Sequence, residues 1–366
     1  MNGWSGARPA AHRGDAAVRV GAAPSPSPGW GVPAGVAPPG GRHLLAVPDA
    51  VTPDALEILA RCRWPRATWE PSGALRLSRY SHLAGPYGVP PGLDGGIVAA
   101  CAEHGAAWDG AAGRVFAIVT LRERGDQPFP GAMDPTGLAR AFPEGLPVRE
   151  EDRVVRWAWC VAQRVGGAIR LDPSELILAP DPASAVDLAV YSSVWLDPAA
   201  ALTVARQAMP GFELDAGLEE WHGPARGNRV AADGLGAGQA AFVERVAEAH
   251  DAQALADDVV LSGYGMRCDL GPDGAVWLEA GPAGPARGLP PAIAGLAWAA
   301  AGVVRYRMGW LPYDADELLV ELPDEPFRRL RAQMRGWVGT VARAVQAATG
   351  GEILDGGDFP VAPADL

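Results

Sequence analysis

The chain has 366 residues, 48% apolar and 20% charged, the balance of a globular protein with room for two domains. A net charge of −12 repels phosphate backbones and anionic lipid, so neither nucleic acid nor a membrane surface is expected as a partner. Lysine is absent and all 31 basic residues are arginine, which excludes Schiff-base chemistry, pyridoxal phosphate attachment, lysyl ligase intermediates and the phosphate-loop lysine.

Met1–Gly41 is built of Gly, Ala and Pro, with no apolar period. Such a text buries too little surface to offset its ordering entropy, and it reads as a disordered tail without a secretory leader. His43–Val47 reads as a strand. A helix then starts at Thr52-Pro53, with an N-cap hydroxyl followed by proline at the first helical position. Leu56, Leu59 and Arg63 fall on one face of it. A helix opens at Gly92, and Arg114–Arg124 reads as a strand. Val154, Ala158, Val161 and Val165 step along a further helix that stops at Gly166, where a C′ glycine supplies positive φ. A short strand, Ala168–Leu171, and Pro180 close the series.

The series then begins again. "TPDALEILARCRWP" (52–65) lines up without gaps on "DPAAALTVARQAMP" (197–210), pairing Pro53 with Pro198, Arg61 with Arg206 and Pro65 with Pro210. Strand-like runs precede both segments, at 43–47 and 187–196. "GLDGGIVAACAEH" from Gly92 pairs with "GLGAGQAAFVERVAEAH" from Gly234, and Arg114–Arg124 with Val259–Leu270. Phe327, Leu330, Met334, Trp337, Val341 and Val345 form a second closing helix that stops at Gly350. "GGAIRLDPSELILAP" (166–180) and "GGEILDGGDFPVAP" (350–363) then end the two series alike. The expected fold is α+β: two sequence-related α/β sandwich-like halves from an internal duplication, after the tail. The expected units are 1–41, 42–182 and 183–366, with an insertion in the last at about 311–349.

The four cysteines, Cys62, Cys101, Cys160 and Cys268, are widely spaced and form no CxxC pair. Cys62, Cys101 and Cys160 sit among helical apolar residues and read as reduced, buried thiols of a cytoplasmic protein. The apolar run Ala292–Val304 is too short for a bilayer span and reads as a buried helix. Trp157, Trp159, Trp195, Trp277 and Trp337 read as core. The acidic "REED" (149–152) sits at a helix start, where carboxylates complement the dipole. Cys101 and His104 are three apart on a helix, yet with no third partner they read as a buried thiol and a surface imidazole. His222, in "EEWHGP", stands without a partner. No metal-ligand spacing or nucleophile motif is present.

Gly263–Gly284, "GYGMRCDLGPDGAVWLEAGPAG", reads as a hairpin turning at "GPDG". Its Arg267-x-Asp269 and Glu279-x-Gly281 strands resemble the metal-binding end of ATP-grasp ligases. That resemblance implies a Mg–ATP site with Asp269 and Glu279 as carboxylates behind Arg267. It departs from the family at Gly281, where the family has asparagine, and in lacking lysine. The residues themselves read as an acidic surface hairpin, with Arg267, Asp269 and Glu279 as candidate binding residues. The functional expectation is a non-catalytic binding or interaction protein with a protein or small-molecule partner and no cofactor or metal. The alternative is an enzyme whose site lies between the halves, where ligand sites concentrate.

Overall fold

The computed structural model describes residues 37–103, 108, 113–131, 133–215, 245, 263–283 and 288–366. Most of the expected tail and almost all of the run from Gly234 to His250 lie outside the described residues, as do His104 and His222.

The fold is α+β, with helices and two antiparallel sheets. In the first sheet β1 (His43–Val47) lies between β5 (Arg114–Val119) and β6 (Ala168–Leu171). β4 (His82–Gly88), β3 (Leu75–Arg76) and β2 (Thr68–Trp69) extend one side, and β7 (Leu176–Leu178) closes the other. Alternate strand residues face opposite sides. Leu45, Val47, Phe116 and Ile118 pack with Leu56 and Ala60 of α1 (Pro53–Arg61) and with Val154, Ala158 and Val161 of α4 (Arg149–Val165). Leu44, Ala46, Val115 and Ala117 pack instead with Leu93, Ile97 and Cys101 of α2 (Pro91–Glu103). All five residues of β1 are therefore buried, which explains an apolar run without alternation. The one-turn α3 (Leu138–Ala141) lies between β5 and α4.

The second sheet places β8 (Leu188–Ser192) between β13 (Glu352–Asp355) and β12 (Val304–Leu311), followed by β11 (Ala275–Pro282), β10 (Tyr264–Asp269) and β9 (Phe212–Leu214). Its inner face, with Val190, Tyr306, Met308, Leu278 and Met266, packs with α5 (Pro198–Ala208) and with the long α7 (Glu325–Thr349). On the other face Tyr191 and Leu354 meet Ile293 of α6 (Pro291–Ala294) and Ala299 and Val303 beyond it.

Six strands of the first sheet follow the order of the second: β2-β3-β4-β5-β1-β6 corresponds to β9-β10-β11-β12-β8-β13, and β7 has no counterpart. The registers match as well. Leu45 stands opposite Phe116 and Ile169, and Val190 opposite Tyr306 and Ile353. Thr52 and Asp197 each cap their helix through the N–H three residues on. Arg61 Nε donates to Ala67 O at 3.0 Å, and Arg206 Nε to Phe212 O at 2.8 Å. Gly166 and Gly350 end α4 and α7 at φ 65° and 66°. The glycine after each runs against the central strand: a Cβ on Gly167 would strike the Ala46 carbonyl, and one on Gly351 the Tyr191 carbonyl.

The expected closing helix forms as α7, which packs on its sheet as α4 does on the first. Two expectations are corrected. The partner of β5 in this correspondence is β12, not Val259–Leu270; β10 takes the place of β3. Ala292–Val304 is not one helix. Gly295 caps α6 after one turn, a 3-10 turn spans Ala297–Ala301, Gly302 takes φ 110°, and Val304 begins a strand.

Gly167→Ala and Gly351→Ala should each cost about 1–3 kcal/mol, because the added methyl meets a backbone carbonyl that cannot rotate away. Urea midpoints would measure it, and unchanged midpoints would mean that the close approach is not required.

Candidate functional site

The sequence-predicted hairpin forms, with Arg267 opposite Trp277, Asp269 opposite Ala275 and Gly265 opposite Glu279. Asp269 and Glu279 are thus four positions apart along the strands, about 13 Å at the usual rise. Asp269 Oδ1 accepts the Gly271 N–H at 2.8 Å and holds the turn. Glu279 lies 3.7 Å from Arg307, and Arg267 lies 3.7 Å from Asp215, all four largely exposed. The two carboxylates do not converge, so the hairpin lacks the geometry of a shared cation site. Cys101 is buried beneath α2, and desolvation raises its thiol pKa.

Side chains converge instead where the two halves meet. A cleft of about 250 Å³ is lined by Trp159 and Gln163 of α4, by Ile177–Asp181 after β6, and by Arg140, Leu318, Glu321 and Arg331. Each is placed by its element. Asp181 precedes a 3-10 turn at Pro182–Ser184, and its Oδ1 caps that turn through the Ala183 N–H at 2.8 Å. Its Oδ2 accepts from Nη2 of Arg331, on α7, at 2.6 Å. Both side chains are nearly buried. Gln163 Nε2 donates to Ser184 Oγ at 2.6 Å, and Ser184 Oγ donates to Asp181 O at 2.6 Å. Arg140 closes the rim with Nε and Nη2 on Glu321 at 3.2 and 2.6 Å. Trp159 Nε1 donates to Thr136 O at 3.0 Å.

Below the cleft, the segment after β13 locks the halves together. Phe359 is 1% exposed and belongs to the first core. Asp355 Oδ1 accepts from Gly357 N and Phe359 N at 2.9 and 3.0 Å, while Arg164 lies 3.5 Å from its Oδ2. Burial, followed by the charge of Asp355, pushes the thiols of Cys62 and Cys160 up to about 11. At neutral pH these are protonated thiols rather than nucleophiles.

The sequence reading of "REED" missed a buried charge. Glu151 is fully buried and takes three donors: His43 Nε2 at 2.9 Å, the Glu123 N–H at 2.9 Å, and Arg124 Nη1. The Asp172 N–H donates to His43 Nδ1 at 3.0 Å, so the imidazole carries its proton on Nε2 and donates it to Glu151. Desolvation pushes the Glu151 carboxyl up, and these donors outweigh it, leaving a net lowered pKa. The signal in the sequence was a histidine leading an otherwise apolar strand. Its partner lies far along the chain and could not be read from it. No family profile, curated protein or solved structure matches the chain.

Glu151→Ala should cost about 3–5 kcal/mol, because it leaves buried His43 and the Glu123 N–H without their acceptor and Arg124 without its carboxylate. A lowered folded pKa means the contribution of Glu151 is complete above the ordinary glutamate range and fades as pH falls through the folded value. The stability gap between wild type and Glu151→Gln should therefore shrink below about pH 4.5, and a pH-independent gap would contradict that account. Asp269→Asn with Glu279→Gln should shift stability by only about 0.5 kcal/mol. Mg–ATP should not raise the Tm of wild type; a rise that vanished in the double variant would restore the hairpin as a nucleotide site.

Proposed function

We propose that this chain is a non-catalytic binding protein, built by duplication of one α+β unit, that holds a small molecule in the cleft between its halves. The observation that carries the reading is the convergence at that seam of hydrogen-bonding side chains from both halves, with Arg140 and Asp181 from one and Glu321 and Arg331 from the other. Ligand sites favour such seams. The charges there are held as pairs, an arrangement that suits recognition rather than proton or acyl transfer.

Duplication is supported by the shared strand order, the shared registers, the two glycine pairs and the Arg61 and Arg206 anchors. On that correspondence the added length of the second unit falls between β9 and β10 rather than at 311–349. The four cysteines are free thiols, which fits a reducing compartment such as the cytoplasm. Among the described residues no helix is long and apolar enough to cross a membrane.

A small-molecule screen read by methyl NMR tests the proposal, because Ile177, Leu178 and Leu318 line the cleft. Ligands should perturb those methyls first. Ligands that mapped instead to the 263–282 hairpin would overturn the assignment of the site.

A further inference from the structure

The cleft carries one group whose chemistry is incomplete. Arg331 is 6% exposed and lines the cleft, yet among the described residues its guanidinium makes one hydrogen bond, through Nη2 to Asp181. Nε is buried without a partner. A guanidinium presents five N–H donors, and with Nη2 on Asp181 the group keeps donors free for an acceptor oxygen in the cleft.

The charge of that acceptor follows from the lining. Arg331 is paired with Asp181 and Arg140 with Glu321, and Arg328 donates to the Glu103 carbonyl beside the cleft, so the lining offers an anion no unpaired cation. An anion would also enter against the net charge of −12. A purely cationic ligand could not accept from Arg331. The acceptor is therefore neutral. Asp181 and Glu321 keep lone pairs for donors, so a group that both donates and accepts satisfies both sides, and a hydroxyl does so. Trp159 adds an apolar ring, held by its Nε1–H on Thr136 O. Planar paired side chains beside an aromatic ring match a ligand with hydroxyls on its rim and C–H bonds on its face. A cleft of about 250 Å³ lies below the usual range for drug-sized ligands and suits a single ring.

Resting on the cleft reading above, we infer that the ligand is a neutral polyhydroxylated ring of monosaccharide size, bound with Arg331 donating to one of its hydroxyl oxygens. The test titrates the full chain with glucose, galactose, mannose and myo-inositol, and in parallel with succinate and agmatine, observing the Ile177, Leu178 and Leu318 methyls. At least one polyol should shift those methyls saturably, with an affinity little changed by added salt. Arg331→Lys keeps a cation for Asp181 and loses the planar fork, so it should weaken that binding roughly 10- to 100-fold. Should this variant fail to fold, the Arg331 guanidinium N–H resonances of the wild type, followed in the same titration, should shift with the polyol, and resonances that stayed unmoved would overturn the role of Arg331. Succinate or agmatine shifting the methyls while every polyol failed would overturn the ligand class and leave the cleft as the site. Polyols that bound with Arg331→Lys as tightly as with wild type would overturn the role of Arg331. Polyol binding that perturbed only residues away from the cleft would overturn the cleft reading itself. No shift from any polyol up to about 10 mM would overturn the inference.

Discussion

Each half depends on the close approach of one glycine to the carbonyl of its central strand: Gly167 on Ala46 and Gly351 on Tyr191. The preceding glycine turns the chain out of the helix at positive φ, and the second lets it drop into the sheet beside that strand. With the helix C-terminus fixed there, the helix has one route across the inner face of the sheet. Val154, Ala158 and Val161 of α4, and Val338, Ala342 and Val345 of α7, are buried along that route. The same packing carries Gln163 of α4 and Arg331 of α7 to the seam, where both line one cleft.

The seam is held by two kinds of contact with different consequences. Phe359 contributes apolar burial within the first core, a term that does not depend on angle. Arg331–Asp181 and Arg164–Asp355 contribute direction. Taking such pairs out of water costs desolvation that their attraction only partly repays, so they define the relative placement of the halves more than they stabilise it. Asp355 shows the balance. Burial raises its pKa, and the Phe359 and Gly357 N–H groups and Arg164 act against that rise without overcoming it.

What could be read from the sequence was local. The Thr52 and Asp197 caps, the prolines after them and the C′ glycines at 166 and 350 each act within a few residues, and each is found where expected. Strand order was not legible, because β1 and β8 acquire partners far along the chain and nothing in an apolar run names its neighbour. The same limit hid the spacing within the hairpin. Asp269 and Glu279 looked paired on either side of a turn, yet the register sets Glu279 opposite Gly265. Arg331 sits beside Leu330 in the helical stripe, and nothing in that stripe marks it as a buried charge. Only the packing of α7 against the Pro182–Ser184 turn makes it a buried partner of Asp181.

Interfaces between halves of one chain usually permit relative motion, unless apolar burial ties them. Here the tie is Phe359, which belongs to the second half by sequence and to the first core by packing. The Asp355 side chain caps the N–H groups of Gly357 and Phe359, so the segment carrying the ring is itself held in shape. A cleft between halves tied in this way exists before anything fills it. On the proposed reading, binding there would cost little reorganisation of the protein, which is what a small ring with few contacts would need to hold its place.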